Sequence, residues 1–464
     1  MYSFLLGFIG GIFTILSFPP LEFHYLIWFF PVFIYHVYFK KGSLLSALLG
    51  WGLIFFTFGF LNLPFDTFIV FLIASISQIA IFALILDRIL RSKCSPSFYV
   101  FLPCAWVFFE FLQDRGFLGI PFHFLKHLST PWLSLGIVLY SHPLSFIASI
   151  LGVWGLSFII LVVGGILHRL IVLKRIVSLS FVFSVLISLS FLPQPEYESG
   201  MNIKVGLVQP YIGREQAYSF TAALSRSFRL SGLLFHQRSL DIIVWPLSYI
   251  NPRSSGVSLN DYISNFAEEY RCYVIVGFGD DNISVFSSDG EEKRSLKALF
   301  ILPRKENLLS SYTAQSLESN LIETENFSFA VVRGLDVGHS FLLRKLANKG
   351  ANFFVSIVDD PLANILKANA IIRALETGLY LVFSSNSGPS FLASQKGRVK
   401  ETLPFTQSTL FGEMSKGSSK TLFVKVGYYW VFLLVILLFI DYLLKLRYSR
   451  FYTLYFFFYL LYLF

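Results

Sequence analysis

Few side chains in this sequence are spaced to do chemistry. Asp336 and His339 lie three residues apart, a separation at which a carboxylate can orient an imidazole for proton transfer. A base of that kind needs a nucleophile beside it, and no cysteine follows Cys272. The pair therefore reads first as the charged approach to a helix N-terminus, where the backbone dipole favours an anion. Arg373 and Glu376, also three apart, fall on one face of an expected helix and read as a structural ion pair. Ser340 and Ser356 are candidate hydroxyl nucleophiles, but each would need a base that the sequence does not offer. Cys94, Cys104 and Cys272 cannot be assembled into a zinc site or a disulfide framework, and Cys272, at the start of an expected strand, reads as a small buried side chain. No metal and no cofactor are expected. Glu110, Asp114 and Arg115 close an apolar segment and are assigned to its interface with water.

The elements that must position these residues divide between lipid and water. Hydrophobic residues make up 55% of the chain, aromatics 18% and charged residues 14%, a balance that indicates an integral membrane protein. Runs able to cross a hydrocarbon core of about 30 Å fall at Tyr2 to Phe18, Leu21 to Phe39, Leu44 to Leu61, Phe68 to Leu90, Phe98 to Leu112, Pro143 to Leu167, Ile176 to Leu192 and Leu422 to Leu444, eight in all. The first lacks a basic start and a cleavage site and is read as retained.

Cations follow every second span: Lys40 and Lys41; Arg88, Arg91 and Lys93; Arg169, Lys174 and Arg175; Lys445, Arg447 and Arg450. The positive-inside rule sets these loops and both termini in the cytoplasm, and the long segment before the last span on the opposite face, which in a bacterial inner membrane is the periplasmic one. Those loops carry most of the net charge of +9, which removes the case for nucleic-acid binding. Few charges lie within the spans, which argues against a transporter or channel. The expected division is a membrane domain of about seven helices at 1–193, a soluble domain at 201–412, and a final span with its tail at 421–464.

The soluble segment alternates short β-branched or aromatic runs with helical stretches. Strands are expected at Ile203 to Gln209, Ile242 to Trp245, Tyr273 to Phe278, Ala298 to Leu302, Phe329 to Val332, Phe353 to Ile357 and Leu379 to Ser384. Helices are expected at Ser219 to Gln237, Leu259 to Tyr270, Phe341 to Lys349 and Ile365 to Thr377, and a hairpin from Ser390 turns at Gly397. The alternation indicates a layered α/β sheet.

The strings Val205-Gly-Leu-Val-Gln-Pro210, Ile243-Val-Trp-Pro246, Gly350-Ala-Asn-Phe-Phe-Val-Ser356, Arg373-Ala-Leu-Glu-Thr-Gly378 and Asn386-Ser-Gly388 resemble, in order, the carbon-nitrogen hydrolase (nitrilase) domain of the apolipoprotein N-acyltransferase family. Phe117-Leu-Gly-Ile-Pro-Phe122, preceded by Trp106 and Glu110, and Gly152-Val-Trp-Gly-Leu-Ser-Phe158 are similar to that family's fifth-span loop and sixth span. The resemblance implies a polytopic membrane domain with an αββα sandwich inserted before the last helix. It also implies transfer of a phospholipid acyl chain to the N-terminal amine of a lipoprotein's diacylglyceryl-cysteine, through a cysteine thioester with a glutamate base and a lysine for the oxyanion. The partners implied are membrane phospholipid and lipoproteins or a lipoprotein-processing partner.

The sequence departs from the family at each of those three positions. The glutamate's place after Trp-Pro is Leu247. The lysine's place in Tyr312-Thr-Ala-Gln-Ser-Leu317 is Ala314, and the cysteine's place, 26 residues before Asp360, is Gly334. The family's aromatic after its Asn-Asp pair, here Asp359-Asp360, becomes Leu362, and its arginine before Asn-Thr-Gly becomes Phe383. Asp336 and Arg333 are the residual polar candidates. A catalytically inactive homologue that binds lipid or a partner is expected. The alternative is an acyltransferase with a relocated nucleophile near Ser340 or Ser356.

Overall fold

Hydrophobic runs without breakers become helices, and alternating β-branched runs become strands. A computed structural model describes residues 1–60, 65–90, 98–114, 133–190, 203–212, 220–236, 238–247, 259–278, 282–289, 292–297, 320–358, 363–417 and 421–446. The first half contains α1 (Tyr2–Ser17), α2 (Phe29–Phe39), α3 (Leu44–Phe60), α4 (Phe65–Leu90), α5 (Phe98–Asp114), α6 (Ala148–Val172) and α7 (Ile176–Ser190). Among the described residues, Phe71–Leu90 and Pro143–Val172 are long and apolar enough to cross a membrane. Tyr2–Ser17, His24–Phe39, Leu44–Phe58, Ile176–Leu186 and Tyr429–Ile440 are apolar but shorter.

Three of the expected spans are not single helices. The second opens as a 3-10 segment, His24–Trp28, before α2. The sixth begins as a 3-10 turn, Pro143–Ile147, and α6 itself is broken at Gly152, whose φ of 71° lies in the left-handed region. The last divides at Gly427 (φ 68°) into α12 (Leu422–Val426) and α13 (Tyr429–Leu446). Glycine adopts positive φ without a Cβ clash, which is why both breaks fall on it. The two broken helices also touch: a Cβ at Gly152 would stand 2.5 Å from the ring of Phe423 in α12.

The second half contains β1 (Ile203–Gln209), α8 (Phe220–Phe235), β2 (Ile242–Leu247), α9 (Leu259–Tyr270), β3 (Tyr273–Phe278), β4 (Asn282–Phe286), β5 (Glu292–Lys297), β6 (Leu321–Glu323), β7 (Ser328–Arg333), α10 (Ser340–Asn348), β8 (Phe353–Val358), α11 (Ala363–Thr377), β9 (Tyr380–Ser385), β10 (Phe391–Ala393), β11 (Val399–Glu401) and β12 (Ser408–Met414). They form two six-stranded sheets ordered β12-β1-β2-β3-β4-β5 and β11-β10-β9-β8-β7-β6. β1, β2 and β3 are mutually parallel, as are β7, β8 and β9, and the outlying strands are antiparallel. β4, β5, β6 and β12 were not expected from the sequence, and Ala298 to Leu302 lies outside the described residues.

Alternate side chains of each parallel strand go to opposite faces, which separates three apolar cores. Val205, Leu207, Ile242 and Val244 meet Val331, Phe353, Val355 and Val382 between the two sheets. Ile243, Trp245, Val274 and Val276 pack under α8 and α9. On the far side of the second sheet, Ala330, Phe354 and Phe383 pack with α10 and α11, and this core runs without interruption into Trp106, Val153 and Trp154 of the membrane half. The layers are thus helix, sheet, sheet and helix, and the last helical layer is shared with the membrane half.

The sheets approach closely where glycine faces a branched residue. A methyl group at Gly277 would stand 2.7 Å from Ile357 Cγ2 across the sandwich. Gly277→Val should therefore lose about 1–3 kcal/mol by overpacking. Combining it with Ile357→Ala should cost less than the sum of the two single changes, by about 0.5–3 kcal/mol. Unfolding of the full chain in detergent measures this, and strict additivity would show that the residues do not touch.

Candidate functional site

Position 247 ends β2 and position 334 follows β7. Pro246 is in register with Gly277, Gly277 faces Ile357 across the sandwich, and Ile357 is in register with Arg333. That chain of neighbours brings the ends carrying Leu247 and Gly334 to the same region between the sheets. The side chains of Leu247 and Arg333, and the whole of Ala314, Asp359, Asp360 and Leu362, lie outside the described residues.

Gly334 turns β7 into a 3-10 segment, Gly334–Gly338, and then into α10. Its φ is 53°, and among the described residues no atom lies within 4 Å of where its Cβ would be. A sharp strand-to-helix turn is the geometry that presents a nucleophile in hydrolase elbows. Here the tip carries no side chain.

The remaining candidates are buried in other roles. Cys272 is enclosed, and burial, followed by the charge of Asp241, pushes its thiol up to about 12. A thiol held protonated is no nucleophile. Ser356 Oγ is buried without a hydrogen-bond partner among the described residues. Asp336 is fully buried just before α10, and its carbonyl accepts from the His339 backbone at 3.1 Å. The His339 ring faces a different carboxylate: Nδ1 is 3.6 Å from Asp114 Oδ1.

Asp114 and Glu110 correct the expectation of simple interface placement. Asp114, at the end of α5, accepts from the backbone N–H of Ser340 (3.1 Å) and Phe341 (3.3 Å), so a membrane-half carboxylate caps an outer-domain helix. Those N–H groups have no acceptor within α10, and an anion there is also favoured by the dipole. Glu110 is 3% exposed. It accepts from Trp106 Nε1 (2.9 Å), Leu135 N (2.9 Å) and Ser157 Oγ (2.6 Å), joining α5, the chain before α6, and α6 itself. Arg115 lies outside the described residues.

Arg373 and Glu376 do form an ion pair, Nη1 to Oε2 at 2.7 Å, but both are fully buried. Glu376 does more than pair. Its Oε1 accepts from Val153 N (2.7 Å), just past the break in α6, and its Oε2 accepts from Ser340 Oγ (2.7 Å). Its backbone carbonyl accepts from Thr421, the N-cap of α12. Burial pushes this carboxyl up from the ordinary value, the Arg373 charge and the Ser340 and Val153 hydrogen bonds oppose that shift, and Asp114 adds to it. Sequence spacing revealed the pair but not its reach. The one available signal was the resemblance of Arg373-Ala-Leu-Glu-Thr-Gly378 to the family's string.

Other retained strings staple the two sheets. Gln209 Oε1 accepts from Thr402 Oγ1 (2.6 Å) and Ser390 N (3.1 Å), while its Nε2 donates to Leu403 O (2.8 Å). Asn386 Oδ1 accepts from Ile212 N (2.9 Å), and its Nδ2 returns a bond to Ile212 O (3.0 Å).

Removing the cation tests the buried pair. Arg373→Met should cost about 3–5 kcal/mol near neutral pH, because it leaves a buried carboxylate uncompensated. Glu376 is an acid whose folded value is raised above 4.5. Its protonated form therefore stabilises the fold below the unfolded value, and that stability is lost as pH rises through the folded one. The Arg373→Met deficit should accordingly shrink on acidification, and adding Glu376→Gln should recover part of it at neutral pH. Thermal unfolding across pH checks both, and a deficit independent of pH would contradict the burial argument.

Comparison with known proteins adds three findings. The family model for the apolipoprotein N-acyltransferase N-terminal domain matches residues 10–166. Curated relatives include an apolipoprotein N-acyltransferase from Coxiella burnetii, 25% identical with 93% of this chain and 98% of the relative covered, and one from Geobacter metallireducens, 24% identical with 92% of each covered. Similar solved structures include a carbon-nitrogen hydrolase from Helicobacter pylori (16% identity, TM-score 0.38, covering 46% of this chain and 89% of that one) and Saccharomyces cerevisiae Nit3 of the nitrilase superfamily (18% identity, TM-score 0.38, covering 48% and 93%). The chain is thus similar to the apolipoprotein N-acyltransferase family, over residues 10–166 in the family model and over nearly its whole length in curated relatives.

Proposed function

We propose that this chain is a catalytically inactive member of the family, which holds phospholipid, a lipoprotein or a lipoprotein-processing partner at the outer face of a bacterial inner membrane. Gly334 carries the reading: at the strand-to-helix turn where the family's nucleophile is expected, the residue is glycine, with no atom of the described residues within 4 Å of where a Cβ would stand. Leu247 in place of the base and Ala314 in place of the oxyanion lysine support it. Base, nucleophile and oxyanion donor act as a unit, so losing all three leaves little beyond binding.

The same reading takes the eight apolar runs as spans, with residues 1–193 and 421–464 in the membrane, residues 201–412 in the periplasm and both termini cytoplasmic. Alkaline phosphatase fused after Leu317 should be active, and fused after Arg450 inactive. The reverse pattern would invert the orientation.

The competing reading, an active enzyme with a relocated nucleophile, draws on the Ser340 Oγ to Glu376 Oε2 hydrogen bond. Against it, Ser340 is 2% exposed and Glu376 0%, and that oxygen is already held by Arg373. Expression in a strain depleted of its own N-acyltransferase, with mass spectrometry for acylated lipoprotein, separates the two. No rescue and no acylation are expected. Rescue abolished by Ser340→Ala would establish the alternative.

A further inference from the structure

The end of the sandwich that carries the tips of β1 and β9 also carries an apolar cluster that no part of the described chain covers. Leu403, Pro404 and Phe405, in the loop between β11 and β12, are consecutive and exposed, Leu403 at 73% and Phe405 at 67%. Tyr211, just past β1, is 40% exposed and sets its ring edge-on to Phe405, with centroids 6.5 Å apart. Tyr211 (φ 47°) and Phe405 (φ 57°) both hold left-handed backbone, which bulky residues rarely adopt. Each is pinned by its own N–H, Tyr211 to Asn386 O (3.2 Å) and Phe405 to Ser387 O (2.7 Å), while Gln209 Nε2 holds the carbonyls of Leu403 (2.8 Å) and Thr406 (3.0 Å). Strained backbone fixed so firmly displays apolar side chains outward rather than tolerating them there.

Two observations select the occupant. This end of the sandwich faces the membrane half: past β7, Ser340 bonds to Asp114 at the end of α5, and Glu401, two residues before Leu403, acts electrostatically on Tyr140, which donates to Glu22 beyond α1. Cations border the cluster, Arg226 bonding to Tyr211 O (2.8 Å), Arg229 to Gln407 (3.0 Å), and Lys400 exposed. Aromatic and aliphatic residues rimmed by arginine are the composition that settles at a lipid headgroup boundary. We infer that Tyr211, Leu403 and Phe405 form a lipid-contact surface that dips the outer domain into the anionic leaflet beside its own helices, a second attachment besides the buried joint at Glu376. This rests on the reading that the helices span a bilayer.

The full chain, with Cys94, Cys104 and Cys272 replaced by alanine, is labelled with bimane at single cysteines and placed in nanodiscs of phosphatidylethanolamine and phosphatidylglycerol containing a lipid with a nitroxide high on its acyl chain. Leu84, 55% exposed on α4, serves as the lipid-facing reference, and Ser239, exposed at the opposite end of the strands, as the aqueous one. A label at Gln407→Cys should lose fluorescence nearly as a label at 84 does, while a label at 239 keeps it. Leu403→Ser with Phe405→Asn, the latter chosen because asparagine tolerates left-handed backbone, should abolish the loss at 407. Quenching at 84 without quenching at 407, or quenching at 407 indifferent to the double change, overturns the lipid contact alone. No quenching at 84 overturns the spanning reading with it. A disulfide between two copies carrying Phe405→Cys assigns the surface to self-association instead and overturns the inference.

Discussion

The carboxylate of Glu376 holds the two halves of this molecule in one arrangement. A helix broken at Gly152 leaves the N–H of Val153 without an intrahelical acceptor, and a buried donor left so costs about as much as a lost hydrogen bond. Glu376 supplies the acceptor from another domain. The same group takes the hydroxyl of Ser340 and the guanidinium of Arg373. One side chain thus fixes α6, the start of α10 and the body of α11 together, and its own carbonyl receives the cap of α12. Asp114 crosses the seam in the other direction, a membrane-half residue capping an outer helix. Polar bonds that cross a shared apolar core specify a geometry that greasy contact alone would leave loose.

On the proposed reading, that division of labour explains how the fold keeps its shape with an emptied site. Residues at strand tips do chemistry because they project into space rather than pack. Among the described residues no atom lies within 4 Å of where a Cβ at Gly334 would stand, so none of them leans on a side chain there. The staples lie elsewhere, in Gln209 bridging to Ser390 and Thr402 and in Asn386 bridging to Ile212. Replacing a nucleophile with glycine costs such a scaffold almost nothing, whereas replacing Asn386 would leave buried N–H and C=O groups of Ile212 unpaired.

Regular elements were legible in the sequence because one period dominates each of them. β1, β3 and β8 and helices α9, α10 and α11 fall within a residue or two of their expected limits. β12 was missed because a glycine and an acid interrupt the β-branched and aromatic pattern of Ser408-Thr-Leu-Phe-Gly-Glu-Met414. In the fold, Gly412 is where Leu392 of the other sheet presses in, with 1.8 Å left for a Cβ, and β1 supplies the pairing partner. The breaks at Gly152 and Gly427 were hidden for a related reason, since glycine is common in membrane helices and hydropathy averages over it. Glu110 and Asp114 were misassigned because a carboxylate near a span end is usually wet. Only the tertiary fold brings Leu135, Ser157 and Ser340 to them.

What survives and what is lost point to the same conclusion about use. A joint that holds a buried ion pair is expensive to maintain in an apolar setting, where hydrophobic replacements of similar volume are often at least as stable. Here Arg373 and Glu376 are both fully buried, and the bonds they organise fix the angle between an apolar helical half and a layered sheet domain. A chain that needed only to fold would gain little from that angle. On the proposed reading the orientation is the function: it sets the strand tips, with their vacant elbow and exposed apolar rim, against the membrane surface, where a lipid-anchored ligand can reach them without leaving the bilayer.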